Sequence, residues 1–397
     1  MKIQYTFINH IRNVINEWQK TLCRRWFHVK DILLFTSFPD FSDNALALTE
    51  YLAQHRNDHP YTIYWLVDHA DDYRRQYGHM GITFLSKKNK LGMIPFRTMK
   101  IHFQARYVFA THSFLIPKEE VHPEQHYILL WHGCGFKTKL GDHYTLFDKG
   151  LVPGPLFIGS KSTYWNVTAE KILAEGYPRY DWMLNPSPKA REYFQVLKGN
   201  YDKVVFWLPT VRNSIFGREY PEGVINQFPI LANDEDWSTV NAYLKTINML
   251  LVVKLHNSQK QYSIPFEKYS NIVIKSNQDF DDAGVKMYEL FPLTDALITD
   301  YSSVSFDYLV VDKPIAYTLD DFKLYESTRG FIFPNPLDYM PGHHVYDKKQ
   351  LVQFLSDIND GTDAYSQRRA EVRKIAIAPP DESYCASILK TLDVIEK

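Results

Sequence analysis

The stretch "HYILLWHGCGFKTKLGDH", residues 126–143, decides the fold class of this chain. Its apolar run Tyr127–Trp131 predicts a strand buried on both faces, because hydrophobic residues follow one another without polar alternation. The run ends at His132, and the residues after it are mostly small or cationic. Parallel sheets bind their ligands beyond the carboxyl ends of their strands. The stretch therefore predicts an α/β protein whose chemistry lies where strands end.

Similar apolar runs recur along the chain with helical stretches between them, which predicts two doubly wound, Rossmann-like parallel sheets. The predicted strands are Asp31–Phe38, Tyr61–Val67, Ile82–Leu85, Tyr107–Ala110 and Tyr127–Trp131 in the first half, and Lys203–Leu208, Met249–Leu255, Asn271–Ile274, Ala296–Thr299 and Pro314–Tyr317 in the second. A Pro-rich stretch near residues 178–188 marks the boundary. We expect an arm at 1–30 and domains at 31–183 and 184–397, with the ligand in a central cleft that the two domains face.

The composition excludes several classes of protein. The 397 residues contain 45 Lys plus Arg and 46 Asp plus Glu, a balance that argues against a general nucleic-acid binder. Three widely spaced cysteines favour a reducing cytoplasm. The sequence contains no metal-ligand cluster, Walker A loop, GxGxxG after a strand, or GxSxG. We therefore predict no protein-held metal and no cofactor.

The arm at residues 1–30 is basic and amphipathic. Its apolar residues fall at helical spacing: Phe7, Ile8, Ile11, Val14, Ile15, Trp18 and Leu22. Basic side chains accompany them at Arg12, Lys20, Arg24, Arg25 and Lys30. This pattern is typical of docking on an anionic membrane surface, and equally of an ordinary helix packed on the body.

Polar residues that could bind a ligand or take part in catalysis follow four of the predicted strands. His132 and His256 each follow an apolar run, one in each half of the chain, and Thr210 follows a third. A single histidine there is most often structural, but a pair in two domains favours a catalytic site.

"LITDYSSVSFDYL", residues 297–309, is the fourth of these strand ends. It predicts a helix over 302–310, whose free backbone N–H groups and Ser302 and Ser303 hydroxyls suit a phosphate, although a simple N-cap is an alternative. Asp307, one turn further on, is predicted to bind donor hydroxyls or to brace the loop.

Two arginines lie beside Pro-stiffened turns near the domain boundary. Arg179 belongs to "GYPRYD" (176–181) and Arg212 to "LPTVRN" (208–213). A guanidinium there can bind a phosphate or carboxylate with two parallel hydrogen bonds, although each arginine alone is more typical of a surface salt bridge.

Together these motifs resemble the CDP-glycerol glycerophosphotransferase family, the teichoic acid primases and polymerases of bacteria. The resemblance covers roughly residues 31–345 and rests on ordered motifs: "WHGCGFKTKLG" (131–141), "GYPRYD" (176–181), "LPTVR" (208–212), "KLH" (254–256), "LITDYSSVSFDYLVVDKPIAY" (297–317) and "RGFIF…PG" (329–342). It implies a GT-B fold, with an N-terminal acceptor domain and a C-terminal domain that binds the CDP donor.

The resemblance also implies roles for individual residues. His132 corresponds to the family's catalytic base, and His256 to a second essential histidine that contacts the donor phosphates. The implied substrate-binding residues are Gly133, Cys134, Gly135, Phe136, Arg179, Thr210, Arg212, Lys254, Ser302, Ser303 and Asp307. The family usually has Thr-Pro where Cys134 and Gly135 stand here, and proline is common where Asn257 follows His256.

The expected reaction is transfer of glycerol phosphate from CDP-glycerol to a hydroxyl of a lipid-linked saccharide or polyol-phosphate acceptor, with release of CMP. It would take place at the cytoplasmic face of the membrane, to which the protein would bind peripherally. The alternatives are CDP-ribitol as donor, a GT-B glycosyltransferase that uses a nucleotide sugar, and a catalytically silent membrane adaptor. Release of CMP would separate the phosphotransferases from the other two.

Overall fold

The computed structural model describes residues 2–138, 146–210, 228–255 and 264–396, with side chains from residue 10 onward. The chain divides into two compact units. The first comprises Met1–His132, Asp142–Asp181 and Ala378–Lys397, and the second comprises Gly133–Gly141 and Trp182–Ile377. His126–Leu129 and the loop after it therefore belong to different units.

The first unit contains a parallel sheet of seven described strands in the order β3-β2-β1-β4-β5-β6-β7. The strands are β1 Lys30–Thr36, β2 Thr62–Val67, β3 Thr83–Ser86, β4 Ala105–Ala110, β5 His126–Leu129, β6 Lys149–Val152 and β7 Ile172–Ala174. The helices of this unit are α1 Lys2–Trp26, α2 Asp43–Gln54, α3 Ala70–Tyr77, α4 Phe96–Gln104, α5 Ile158–Trp165 and α15 Tyr384–Thr391; α6, Tyr180–Leu184, crosses the unit boundary. The order reverses between β1 and β4, which is where such sheets bind ligands.

The second unit contains a parallel sheet of six described strands in the order β10-β9-β8-β11-β12-β13. The strands are β8 Lys203–Trp207, β9 Met249–Lys254, β10 Ile272–Lys275, β11 Ala296–Thr299, β12 Ile315–Thr318 and β13 His343–Val345. The helices are α7 Pro188–Lys198, α8 Asp234–Thr246, α9 Asn277–Ala283, α10 Met287–Leu290, α11 Val304–Tyr308, α12 Phe322–Thr328, α13 Lys348–Asn359 and α14 Ser366–Ala376. Here the order reverses between β8 and β11.

Both sheets are buried on both faces, as their unbroken apolar runs predict. Strands β5, β9 and β11 are buried along almost their whole length. The core of the second unit centres on Trp207 of β8 and Trp237 of α8, whose rings lie 5.5 Å apart. Helix boundaries follow local signals: Ser187 caps α7 by accepting a hydrogen bond from the Ala190 N–H, with Pro188 at the first helical position.

The last twenty residues pack with the first unit, whereas the sequence assigned them to the second domain. Asp181 explains this placement, because its carboxylate accepts hydrogen bonds from the backbone N–H groups of Tyr384 and Cys385 at 2.7 and 2.9 Å. The Tyr107 hydroxyl donates to the Leu392 carbonyl oxygen at 2.9 Å. Helix α15 is thereby fixed at both ends.

Helix α1 packs one side on the first unit and leaves an apolar strip exposed on the other. Cys23 is fully buried, and Asn16 accepts a hydrogen bond from the Ile94 N–H at 3.2 Å. Ile11, Val14 and Trp18 are exposed, Trp18 to 64%. Within the described residues, no helix is both long and apolar enough to cross a membrane. The two interpretations of the arm thus describe opposite sides of one helix.

Candidate active site

Strand β5 carries His132 to the ligand-binding edge of the first sheet through a constrained backbone. Trp131 has a φ of 55°, a left-handed conformation that costs a non-glycine residue about 1–3 kcal/mol. The Asn44 side chain donates hydrogen bonds to the carbonyl oxygens of Leu130 and Trp131 at 3.3 and 2.9 Å. Arg179 donates to the His132 carbonyl oxygen at 2.9 Å. The backbone on both sides of this residue is therefore fixed.

The His132 ring stands in a stack of other rings. The His112 ring lies parallel to it at 4.1 Å, with an interplanar angle of 8°, and the Trp131 ring lies at 4.2 Å. The Nδ1 atom lies 3.5 Å from the Thr111 carbonyl oxygen, which leaves Nε2 directed away from Thr111. The His132 side chain remains exposed to solvent. The role of His132 as the catalytic base stays a prediction.

Desolvation by the packed rings lowers the pKa of His132 below its ordinary value of 6.5, and the positive charges of His112, Lys161 and Arg179 lower it further. Lys161 is 5% exposed, and its Nζ lies 4.5 Å from the Trp131 ring centroid. Tyr164 and Trp165 complete an aromatic cage around this ammonium group. His132 is consequently neutral near pH 7, the form that can accept a proton.

The "GYPRYD" motif holds the backbone at His132 through Arg179. Arg179 is 2% exposed, pairs with Asp43 at 2.5 Å and lies over the Tyr177 ring. Gly176 has a φ of 80°, and any β-carbon there would overlap the Tyr384 ring. In this structure Arg179 holds the His132 backbone, and its predicted contact with the donor stays a prediction.

In the second unit, Thr210 and Asp300 meet where the strand order reverses. The Asp300 carboxylate is fully buried and accepts hydrogen bonds from the Thr210 N–H and hydroxyl at 2.7 and 2.8 Å. Thr210 follows β8, and Asp300 follows its neighbour β11. The two predicted strand ends are thus joined directly.

Ser302 and Ser303 precede α11, which begins at Val304 rather than at Ser302 and continues as a 3₁₀ turn over Leu309–Val311. Gly135 lies against them, because a β-carbon on Gly135 would stand 3.0 Å from the Ser303 nitrogen. Only a residue without a side chain fits this approach without displacing a neighbour. Gly135 therefore permits close contact between two predicted donor-binding segments.

In the described part of the loop after His132, residues 133–138, two side chains are packed rather than exposed. Cys134 and Phe136 are buried, and the Phe136 ring lies 4.8 Å from that of Phe306. The Phe136 carbonyl oxygen accepts a hydrogen bond from the Ile332 N–H at 2.8 Å, in a short strand-like pairing with the "RGFIF" segment. In this structure both side chains shape the loop.

Two lysines contribute partly desolvated amines to the second unit. Burial lowers the pKa of Lys137, against the opposing influence of Asp300. Burial also lowers the pKa of Lys254, at the end of β9, to about 8, against the opposing influence of Asp281. With a pKa of about 8, the Lys254 amine is mostly charged at neutral pH.

Three predicted site residues remain: Asp307, His256 and Arg212. Asp307 is 1% exposed and accepts a hydrogen bond from the Tyr288 hydroxyl at 2.9 Å, which ties α11 to α10 and matches its predicted alternative role. His256 and Arg212 lie outside the described residues. In the described ranges, no group of three or more His, Cys, Asp or Glu side chains could hold a metal ion.

Three residues at the edge of the first sheet were not among the predicted site residues. His112 follows β4 after Thr111, so the rule that selected His132 and His256 could have found it. Lys161 carries no such signal, because its cage forms only when α5 meets the end of β5. Phe38 was placed in a predicted strand, but β1 ends at Thr36 and Phe38 lies in the turn beyond it.

Comparison with known proteins agrees with this architecture. A sequence model of the CDP-glycerol:poly(glycerophosphate) glycerophosphotransferase family matches residues 19–388. The chain is similar to the teichoic acid glycerol-phosphate transferase of Staphylococcus aureus, at 26% identity over 86% of this chain and 87% of that protein. It is also similar to the teichoic acid ribitol-phosphate primase of Bacillus spizizenii, at 23% identity over 72% of this chain and 76% of that protein.

The solved structure of the wall teichoic acid polymerase TagF shares the fold, with a TM-score of 0.72 at 19% identity over 99% of this chain and 98% of that chain. The predicted GT-B-like α/β fold is therefore confirmed. Since the family match extends over most of the sequence, this chain belongs to the CDP-glycerol:poly(glycerophosphate) glycerophosphotransferase family.

Proposed function

We propose that this protein transfers glycerol phosphate from CDP-glycerol to a hydroxyl of a membrane lipid-linked acceptor during the synthesis of teichoic acid or a related surface polymer. The observation that carries the proposal is His132, an unprotonated histidine fixed at the ligand-binding edge of the first sheet. Family membership supplies the donor class. The first unit provides the base for the acceptor hydroxyl, and the second provides groups for the donor.

The proposed step is a displacement at the β-phosphorus of the donor. His132 Nε2 removes the proton from the acceptor hydroxyl as the acceptor oxygen bonds to phosphorus. The bond between the β-phosphorus and the bridging oxygen breaks, and CMP leaves with that electron pair. The products are a new phosphodiester and CMP. Such transfers depend mainly on positioning and electrostatics, which suits a site built from fixed side chains.

The donor diphosphate is assigned to groups at the ligand-binding edge of the second sheet. Lys254 supplies positive charge, and the amine of Lys137, whose pKa burial lowers, supplies hydrogen-bond donors. The Ser302 and Ser303 hydroxyls, beside the close approach of Gly135, supply hydrogen-bond donors. Thr210 and the buried Asp300 fix the neighbouring strand end. His256 is assigned to the same phosphates by its correspondence with the family motif.

Glycerol phosphate is proposed over ribitol phosphate because the Staphylococcus aureus relative, which matches 86% of this chain, is a glycerol-phosphate transferase. The ribitol-phosphate primase relative makes CDP-ribitol the second donor to test. The experiment supplies purified protein with a lipid-linked disaccharide acceptor and CDP-glycerol, CDP-ribitol or a UDP-sugar in turn, and measures released CMP. CMP from CDP-glycerol supports the proposal. UDP from the sugar nucleotide, or no CMP from either polyol donor, would overturn it.

We further propose that α1 binds the protein to an anionic membrane surface at its cytoplasmic face. Ile11, Val14 and Trp18 form an exposed apolar strip, and exposed Arg24 and Arg25 end the same helix. Apolar insertion and attraction of basic side chains to anionic lipid act together on such a helix. Replacing the three apolar residues with serine should abolish flotation with vesicles that contain phosphatidylglycerol. Val196→Ser, on exposed α7, is the control; equal flotation of all variants would remove this proposal.

A further inference from the structure

Phe38 is an exposed aromatic residue at the ligand-binding edge of the first sheet. Its side chain is 70% exposed, although large apolar side chains generally bury their surface. It lies directly beyond β1, at the point where the strand order reverses toward β4. An exposed ring at such a position suits contact with a ligand.

Hydrogen bonds in the turn hold this ring in place. The Phe38 N–H donates to the Thr111 hydroxyl at 3.2 Å. The hydroxyls of Ser37 and Ser42 both donate to the Pro39 carbonyl oxygen at 2.6 Å, and the Ser42 N–H donates to the Ser37 hydroxyl at 3.1 Å. The exposure of Phe38 is therefore a feature of an ordered turn.

Thr111 connects this turn to the proposed base. Its hydroxyl lies 3.0 Å from His112 Nδ1, and its carbonyl oxygen faces His132. The Phe38 ring meets His112 at a centroid distance of 5.6 Å and an interplanar angle of 77°, and His112 in turn stacks on His132 at 4.1 Å. Phe38, His112 and His132 form a continuous set of rings, which we call the ring cluster.

We propose that Phe38 and His112 form an acceptor subsite in which a sugar ring of the acceptor, the ring that carries the attacking hydroxyl, packs its apolar C–H face against Phe38. This proposal rests on the function proposed above. A hydroxyl within about 2.6–3.2 Å of His132 would be in reach of the base. The ring cluster continues from His132 to His112 at 4.1 Å and from His112 to Phe38 at 5.6 Å. In the proposed pose, the sugar ring that carries this hydroxyl extends over the cluster to Phe38.

The chemistry of the ring cluster favours a sugar ring over a charged or linear group. Phe38 offers only an apolar face, while His112 beside it is a polar ring whose Nδ1 lies 3.0 Å from the Thr111 hydroxyl. A pyranose ring presents C–H groups on one face and hydroxyls around its edge, which matches this pairing. A linear polyol phosphate lacks a continuous apolar face and would gain little from Phe38.

The test compares Phe38→Ala, Phe38→Trp and wild type with two acceptors, a lipid-linked disaccharide and one ending in glycerol phosphate. For the disaccharide, Phe38→Ala should raise the acceptor KM about tenfold while the donor KM stays constant, and Phe38→Trp should restore it. Val196→Ala, which removes exposed apolar surface from α7, is the control. No change in the disaccharide KM, or an equal rise for both acceptors, would overturn the subsite.

A binding measurement separates failure of the subsite from failure of the proposed function. Saturation-transfer NMR of wild type with a short-chain, water-soluble disaccharide diphosphate should show contact at the sugar-ring protons, and Phe38→Ala should lose that signal. This readout needs no turnover, so it applies even if the wild type releases no CMP. Equal signals in both proteins, or contact at the lipid chain alone, would overturn the subsite.

Discussion

The two sheets reverse their strand order in the same way, yet the residues beyond the two reversals differ in chemistry. Beyond β1 and β4 the first sheet places the rings of Phe38 and His112, and beside them, beyond the end of β5, the ring of His132. At β8 and β11 the second sheet places a buried carboxylate and hydroxyl groups, at Thr210 and Asp300. A shared topology thus determines where ligands bind, while strand-end residues determine which ligand each sheet suits.

The largest effect on turnover is expected from His132→Ala, in the first of the two regions. Loss of a general base costs about 10²–10⁴-fold in turnover, so CMP release should nearly cease. The rate of CMP release at saturating donor and acceptor is the measurement. His28→Ala, which removes an exposed histidine elsewhere in the first unit, should keep the wild-type rate. Turnover of His132→Ala at that same rate would rule out a general base at this position.

The second region should respond to pH through Lys254. Its pKa of about 8 means that the amine is charged below about pH 8 and neutral above it, so affinity for the donor diphosphate should fall as pH rises through that value. Lys254→Met should weaken donor binding at neutral pH by about tenfold and remove this alkaline decline. Calorimetric titration with CDP-glycerol across pH checks both expectations. An alkaline decline that persists in Lys254→Met would assign it to another group.

A smaller effect is expected where Gly135 meets Ser303. The β-carbon of Gly135→Val would stand 3.0 Å from the Ser303 nitrogen, so the loop or the helix start must move. We expect the donor KM to rise about fivefold, with little change in the acceptor KM. Gly78→Val is the matched control, because no atom lies within 4 Å of a β-carbon there. A rise in the acceptor KM instead would place this loop on the acceptor side.

The smallest effect should come from Lys161, whose charge acts on His132 from within its aromatic cage. Removing a positive charge stabilises the protonated imidazole, so Lys161→Met should raise the pKa of His132. The acid limb of kcat/KM, expected below about pH 6.5 in wild type, should move up by about half a unit, a threefold loss on that limb. Lys161→Arg keeps the charge and should keep the profile. If the Met and Arg variants had identical pH profiles of kcat/KM, the charge of Lys161 would not influence the pKa of His132.

Much of the fold could be predicted because buried parallel strands appear in the sequence as unbroken apolar runs. The ten predicted strands all correspond to observed strands, with ends displaced by a few residues. Strands β6, β7 and β13 were missed because β6 (KGLV) and β13 (HHV) lack an unbroken apolar run and β7 (ILA) has only three residues. The return of the last helix to the first unit was also beyond prediction, since it depends on Asp181 meeting residues two hundred positions away.

The position of a candidate site residue could be predicted where a polar residue lies within a few positions of a strand's end. His132, Thr210 and the Asp300 turn obey that rule, and His112 obeys it too. Residues whose surroundings come from distant segments were not predictable. Arg179 was expected to bind phosphate as a free fork, yet the folded chain surrounds it with Asp43 and the His132 carbonyl. Phe38 was assigned to a buried strand, because sequence alone does not show where that strand gives way to a turn.

The proposed separation of the base in the first region from donor binding in the second can be tested by measuring donor affinity and saturated CMP release on the same samples of His132→Ala and Lys254→Met. We expect opposite patterns in the two variants. His132→Ala should bind CDP-glycerol as wild type does and release almost no CMP, whereas Lys254→Met should bind the donor weakly and retain most of its rate at saturation. Parallel losses of affinity and rate in both variants would contradict this separation.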